Sequence, residues 1–187
     1  MPEVPKEEVM RNEKPVFIGS VRQPIEEDLV SVQLILEAWI RDSETHELKA
    51  EEMRGVMEAI RASIAGQGDY QYLVAEEEER VIGVIGFRPI VDEKLRVFAV
   101  TDNPAELVDA YVDPPNRAGR GVGKALFENI EQAARSQGFK EVLLNSGPRY
   151  KDTAWGFYNK IYGEPVGSIP NMYGEGLNSV VWRRVLI

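Results

Sequence analysis

The stretch that most constrains this chain is Ala105–Gly138, where an apolar run, AELVDAYV, is stopped by Asp113, Pro114 and Pro115. Glycines at 119, 121 and 123 then open an amphipathic segment carrying Leu126, Ile130 and Ala133, and Gly138 closes it. Read by period, this is a strand, a glycine-rich loop and a helix over Val122–Gln137. Glycine supplies positive φ and leaves no side chain in the way of a close ligand. Backbone N–H groups converging on the positive end of a helix dipole bind phosphate, each bond to a charged group contributing about 1.5–3 kcal/mol. Arg117, Arg120 and Lys124 add positive charge there in a chain whose net charge is −9. A glycine-rich turn that only lets strand and helix pack closely is the competing reading of the loop alone.

Two common phosphate loops do not fit. The dinucleotide fingerprint G-x-G-x-x-G fails because the third glycine falls at 123 instead of 124. The P-loop pattern fails because Ala118 stands for its first glycine and Ala125 for its magnesium-binding Ser or Thr.

Around this unit the chain reads as one domain over residues 15–187, preceded by a flexible arm over residues 1–14 that is charged and aperiodic. A strand is expected over Pro15–Val21, then a helix from Pro24 to Trp39 and a second over Glu47–Ala65. A hairpin follows, with strands Gln71–Ala75 and Val81–Arg88 around the acidic turn 76–80. Lys94–Thr101 reads as a further strand or part of a long connection. After the glycine unit come a strand at Glu141–Ser146, an aromatic helix at Asp152–Tyr162 and a closing strand from Ser179. The order predicts an α+β, or mixed α/β, domain around one central sheet.

Composition excludes several function classes. With no cysteine and only His46, the chain has neither a thiolate nucleophile nor the donors of a histidine-rich metal site, so no metal is expected. The acidic balance argues against nucleic-acid binding and is compatible with steering cationic substrates, or with solubility alone. No apolar run reaches membrane-spanning length and no secretory leader is visible, so no membrane partner and a cytoplasmic setting are expected.

Taken with its flanks, the loop resembles that of the GNAT superfamily of N-acetyltransferases, Q/R-x-x-G-x-G/A, matched by Ala118-Gly119-Arg120-Gly121-Val122-Gly123. Ala118 departs from the family's Gln or Arg, and Arg117 lies one position early. AYVDP looks like the family's fourth strand and EVLLNS like its fifth, which splays from the fourth. TAWGFYNKIYG looks like its A-x-x-F-Y segment, with Ala154, Phe157 and Tyr158 in register and Lys151 where an asparagine is frequent.

The resemblance implies a mostly antiparallel sheet of about seven strands with about four helices. It implies acetyl-CoA as cosubstrate, bound by Tyr111, Val112, Arg117, Gly119, Arg120, Gly121, Val122, Gly123, Lys124, Asn145 and Lys151. It also implies direct acetyl transfer to a primary amine of a small molecule or peptide, and a homodimer by family habit. A CoA-binding or sensing module without turnover is the alternative. Tyr158 takes the family's acid position, as a group protonated at neutral pH. Glu106 matches the spacing of a glutamate base, and strand alternation places Asp109 on the opposite side. The oxyanion donor is expected to be the N–H of Val112. Arg149, Tyr150 and Lys151 are candidates for the cofactor's phosphates, or a plain surface loop. The 170–176 segment, PNMYGEG, is a candidate acceptor wall. Arg183 and Arg184 have no assigned role.

Overall fold

A computed structural model describes residues 16–186, so the expected arm at residues 1–14 and the outer limits of the 15–187 domain lie outside the described residues. Seven strands form one sheet: β1 (Ser20–Arg22), β2 (Gln71–Glu77), β3 (Arg80–Pro89), β4 (Pro104–Val112), β5 (Glu141–Ser146), β6 (Gly167–Ile169) and β7 (Ser179–Val185). Their spatial order is β1-β2-β3-β4-β5-β7-β6. Only β4 and β5 run parallel, which requires a crossover, and the glycine unit with its helix supplies it. Five helices accompany the sheet: α1 (Leu29–Trp39), α2 (Ala50–Ile64), α3 (Glu93–Arg96), α4 (Val122–Ser136) and α5 (Gly156–Tyr162).

Each face of the sheet is covered by one helix pair. On one, Leu126, Phe127, Ile130 and Ala134, which share one face of α4, pack with Tyr158 of α5 against Ile85, Phe87, Ala105 and Leu107. On the other, Val32, Ile35 and Leu36 of α1 and Met57 and Ile60 of α2 cover Tyr72, Val74 and Val84. Covered on both faces, β3 reads as an unbroken apolar run, Val81–Phe87, as a central strand should. Gly86 allows Tyr72 to lie flat across β3: a Cβ at that position would sit 2.6 Å from the tyrosine ring.

Two relationships position the site. β4 pairs with β5 only through Pro104–Glu141, Ala105–Val142 and Glu106–Leu143, after which the strands part. The expected splay therefore opens just beyond Glu106. Against β3, the register of β4 jumps from Gly86–Val108 to Val84–Tyr111, so that Asp109 and Ala110 oppose Ile85 alone. This is a β-bulge, and Asp109 within it has φ +53°.

Several expectations are corrected. Lys94–Thr101 is not a strand: Asp92 accepts the Lys94 N–H at 2.8 Å and caps the short α3, which brings the helix number to five. The first strand is Ser20–Arg22, displaced from the expected Pro15–Val21 because only those three residues pair with β2. The hairpin strands run on to Glu77 and start again at Arg80, since Glu78 and Glu79 both take positive φ in a tight two-residue turn. The edge strand β6 was not foreseen; Gly167–Ile169 is too short to show a period.

Candidate active site

The glycine loop ends at Gly121, which caps α4 with φ +89°, while Gly119 has φ +83° and Ala118 φ +58°. The first intrahelical bond of α4 is Ala125 N–H to the Gly121 carbonyl, 2.9 Å. The N–H groups of Val122, Gly123 and Lys124 precede it and are the orphan donors of a helix start. A Cβ at Gly119 or Gly121 would meet nothing within 4 Å, so both glycines face open space. Gly123 differs, because its Cβ would press on Phe157 of α5 at 3.3 Å. That glycine sets the approach of two helices.

The basic residues near the loop divide. Arg120 is turned away: its guanidinium pairs with Glu77 at 2.5 Å and with Asn116, tying the loop to the β2–β3 hairpin. Its side chain is therefore committed to the scaffold, leaving its backbone for the loop. Arg117 is exposed and lies 5.3 Å over the ring of Trp39. Lys124 is exposed and only loosely paired with Glu128, at 3.6 Å. Lys151 is exposed at the start of a wide turn, Lys151–Trp155, that leads into α5.

Beyond Glu106 the gap between β4 and β5 forms a slot. Asp113 donates its N–H to Ile82 of β3, so the backbone groups of Val112, one residue earlier, point toward the slot. The Val112 carbonyl is taken by the indole N–H of Trp39 at 2.7 Å. Tyr158 is carried by α5. Its ring is boxed by Phe127, Phe157 and Trp182, with centroids 5.2–5.9 Å away. Burial pushes its hydroxyl above the usual tyrosine range, and the neighbouring Tyr150 and Tyr173 add to this.

A polar chamber adjoins the slot on the α1–α2 side. Glu106 is 5% exposed, with one carboxylate oxygen accepting Arg88 Nε at 2.8 Å and the other Asn145 Nδ2 at 3.3 Å. Burial raises its carboxyl above the ordinary range despite Arg88. Asn145 also accepts the Tyr173 hydroxyl at 2.6 Å, and the Tyr173 ring lies over Gly147. The segment around residue 173 thus closes one wall of the chamber. Arg149 does not approach the loop; it pairs with Glu52 of α2 at 2.5 Å, stacks 4.7 Å over Tyr150 and donates to its hydroxyl at 2.7 Å. The phosphate-binding option for Arg149 is set aside on that geometry. The Tyr150 and Tyr111 hydroxyls are 3.2 Å apart.

Asp109 corrects the alternation argument. The bulge turns two consecutive residues, Val108 and Asp109, to the same face, and Asp109 accepts the Tyr72 hydroxyl at 2.6 Å. Ala110 and Val112 return to the opposite face. Asp109 therefore shares the chamber with Glu106. Desolvation pushes its carboxyl up to about 6, against the Tyr72 hydrogen bond and the charge of Arg88.

The site residues that the sequence did not single out are Trp39 of α1, Glu52 of α2, Tyr72 of β2, Arg88 of β3, and Tyr70 just before β2, whose hydroxyl accepts from Arg88; no local motif joins them. Arg183 and Arg184 prove structural: Arg183 pairs with the fully buried Glu141 at 3.5 Å, and Arg184 bonds the Ile161 carbonyl and reaches Glu131 at 3.4 Å. Among the described residues no helix is long and apolar enough to cross a membrane.

Comparison with known proteins agrees with this geometry. The model of the Acetyltransferase (GNAT) family matches residues 33–163. Human N-acetyltransferase 8 is 35% identical over 91 residues, covering 49% of this chain and 37% of that protein. The match thus spans well under half of the relative's own length. A GNAT-family protein of known structure from Desulfovibrio desulfuricans superposes with a TM-score of 0.71 at 17% identity, covering 90% of this chain and 99% of the other. The paia N-acetyltransferase from Thermoplasma acidophilum, solved in complex with coenzyme A, gives a TM-score of 0.60 at 17% identity, with coverage of 89% and 99%. At that identity the structural likeness establishes the fold.

Proposed function

Because the chain belongs to the Acetyltransferase (GNAT) family, we propose that it moves an acetyl group from acetyl-CoA directly to a primary amine of a small molecule or peptide. The observation that carries this reading is the slot that opens between β4 and β5 just beyond Glu106, with free helix-start amides at one end and a buried tyrosine alongside. The amides of Gly119–Lys124 receive the pyrophosphate, with Arg117, Lys124 and Lys151 supplying charge nearby. The pantetheine arm runs along Tyr111 and Val112, opposite Asn145.

The Val112 N–H donates to the thioester oxygen as it becomes an oxyanion. The amine nitrogen attacks the carbonyl carbon, the C–S bond breaks, and Tyr158 donates its proton to the departing sulfur. Tyr158 regains a proton from solvent. Glu106 forms the polar floor where the strands part, and with its oxygens on Arg88 and Asn145 it orients both.

The direct test is calorimetric titration of acetyl-CoA, with NADH and ATP as controls, followed by thiol release with a panel of amines. Micromolar binding of acetyl-CoA alone, with amine-dependent thiol release, is the expected result. Binding without release for any amine supports a CoA-sensing module instead, and absence of binding overturns the reading.

A further inference from the structure

We propose that Glu77, which closes β2, is a positioning residue for the cofactor: it holds the glycine loop in the form that receives the pyrophosphate, although its own charge repels that group. This rests on the acetyl-CoA reading above and adds to it what sets the loop.

Ala118, Gly119 and Gly121 all take positive φ, and a Cβ at either glycine would meet nothing within 4 Å. Left to itself such a segment samples many conformations, and the freedom lost on ordering it around a ligand would be subtracted from affinity. Two neighbours remove that freedom in advance.

One is the β2–β3 hairpin, which grips the segment between β4 and α4 near both ends. Arg80, opening β3, donates to Asp113 at 2.9 Å, and Glu77 accepts from Arg120 at 2.5 Å. Asn116 joins the two grips, donating to Asp113 at 3.1 Å and accepting from Arg120. The Glu77–Arg120 pair is the shielded member, its side chains 15% and 11% exposed. Among the described residues no other ion pair has both partners below one-fifth. Loss of one partner from such a pair leaves the other charge uncompensated where water reaches it poorly, so the tie is stiffer than an exposed one.

The other neighbour is the stretch Phe17–Gly19, which leads into β1. The Phe17 N–H donates to the Arg120 carbonyl at 2.8 Å. In a planar trans peptide the next N–H points opposite to the carbonyl, so this bond turns the Gly121 N–H away from Phe17. It thereby decides which way one donor of the loop faces. Gly19 lets the stretch lie close on β2, since a Cβ there would sit 1.9 Å from the Glu76 carbonyl oxygen. Glu77 serves this neighbour too: Oε1 accepts the Ile18 N–H at 3.3 Å while Oε2 holds Arg120. One carboxylate fastens both the side chain of Arg120 and the stretch that orients its peptide.

Charge alone predicts the reverse, because a carboxylate beside a pyrophosphate weakens its binding. Glu78 and Glu79 form the hairpin turn next to Glu77, are exposed, and make no side-chain hydrogen bond or ion pair among the described residues. Glu79 therefore carries the same charge without the grip, and it separates position from charge.

Acetyl-CoA is titrated by calorimetry into the full chain and into its Glu77→Gln and Glu79→Gln variants, well below each melting temperature. Glutamine keeps one acceptor oxygen for the two donors that glutamate serves. Glu77→Gln should bind about tenfold or more weakly, while Glu79→Gln binds as well as the wild type or better. Amide hydrogen exchange over residues 117–124 should quicken in Glu77→Gln alone. Asn116→Ala loosens the same grip without touching Glu77 and should weaken binding several-fold; it carries the decision if Glu77→Gln fails to fold. Wild-type affinity in Glu77→Gln, or equal weakening in Glu79→Gln, overturns the proposal and leaves the acetyl-CoA reading intact. A lowered melting temperature with affinity and loop exchange unchanged assigns Glu77 to stability alone and also overturns it. Absence of acetyl-CoA binding by the wild type overturns both.

Discussion

Trp39 donates its indole N–H to the carbonyl of Val112 across 2.7 Å, joining residues 73 positions apart in the chain. The same ring carries Arg117 on its face. One side chain of α1 thereby holds the end of β4 and the entrance to the glycine loop together. Trp39→Phe keeps most of the apolar contact and removes the bond, at about 1 kcal/mol. Acetyl-CoA should bind several-fold more weakly, with a small loss of thermal stability, as read by calorimetry and a melting curve.

Tyr158→Phe should leave acetyl-CoA affinity unchanged and lower the rate of thiol release by about 10²-fold or more, as for loss of a general acid. Since burial raises the hydroxyl above its ordinary value, it stays protonated through neutral pH. The wild-type rate should therefore show no alkaline fall from Tyr158 below about pH 10, the unperturbed tyrosine value. A pH–rate profile under conditions where chemistry limits turnover checks both points.

The two later loop glycines should respond differently. Gly121→Ala places a Cβ in open space but forces alanine to φ +89°, so it should cost on the order of 1–2 kcal/mol and weaken acetyl-CoA binding. Gly123→Ala favours the helix by up to about 1 kcal/mol, yet drives Phe157 outward from a 3.3 Å contact. Its expected signature is near-normal stability with slower turnover, because Phe157 packs against Tyr158. Paired melting and kinetic measurements separate the cases.

Arg149→Met should raise KM for the acceptor with little effect on acetyl-CoA affinity, since Arg149 ties α2 to the chamber wall through Glu52 and Tyr150. A double-mutant cycle with Glu52→Gln should return a stability coupling near 1 kcal/mol or less, as both side chains retain some solvent contact.

Asp109→Asn should stabilise the protein at neutral pH. A carboxyl at about 6 in the fold and about 3.9 in the unfolded chain favours folding fully only below the lower value. That contribution is lost as pH rises through the higher one. The difference is on the order of 2–3 kcal/mol, and asparagine, which retains an acceptor for Tyr72, escapes it. The variant's melting temperature should exceed the wild type's at pH 7.5, and the two should converge near pH 4.

Much of the fold was legible because it is written locally. The helices α1, α2 and α4 declare themselves by apolar residues every three or four positions, and the β4–loop–α4 unit by its prolines and glycines. The same glycines made Gly119 and Gly121 candidates, while Tyr158 became one through the resemblance of its aromatic segment to the family's. Short elements escaped: α3 depends on one capping aspartate, and β6 exists only because β7 pairs with it.

The sequence by itself determined the two periodicities, the crossover that makes β4 and β5 parallel, and a phosphate-ready helix start, all consequences of neighbours along the chain. Only the tertiary structure decided which carboxylates share the chamber and which arginines are already paired. Alternation sent Asp109 to the wrong face because a bulge depends on the register between β3 and β4, which no local pattern encodes. Arg120 pairs with Glu77 and Arg149 with Glu52 for the same reason: ion pairs answer to distance in space.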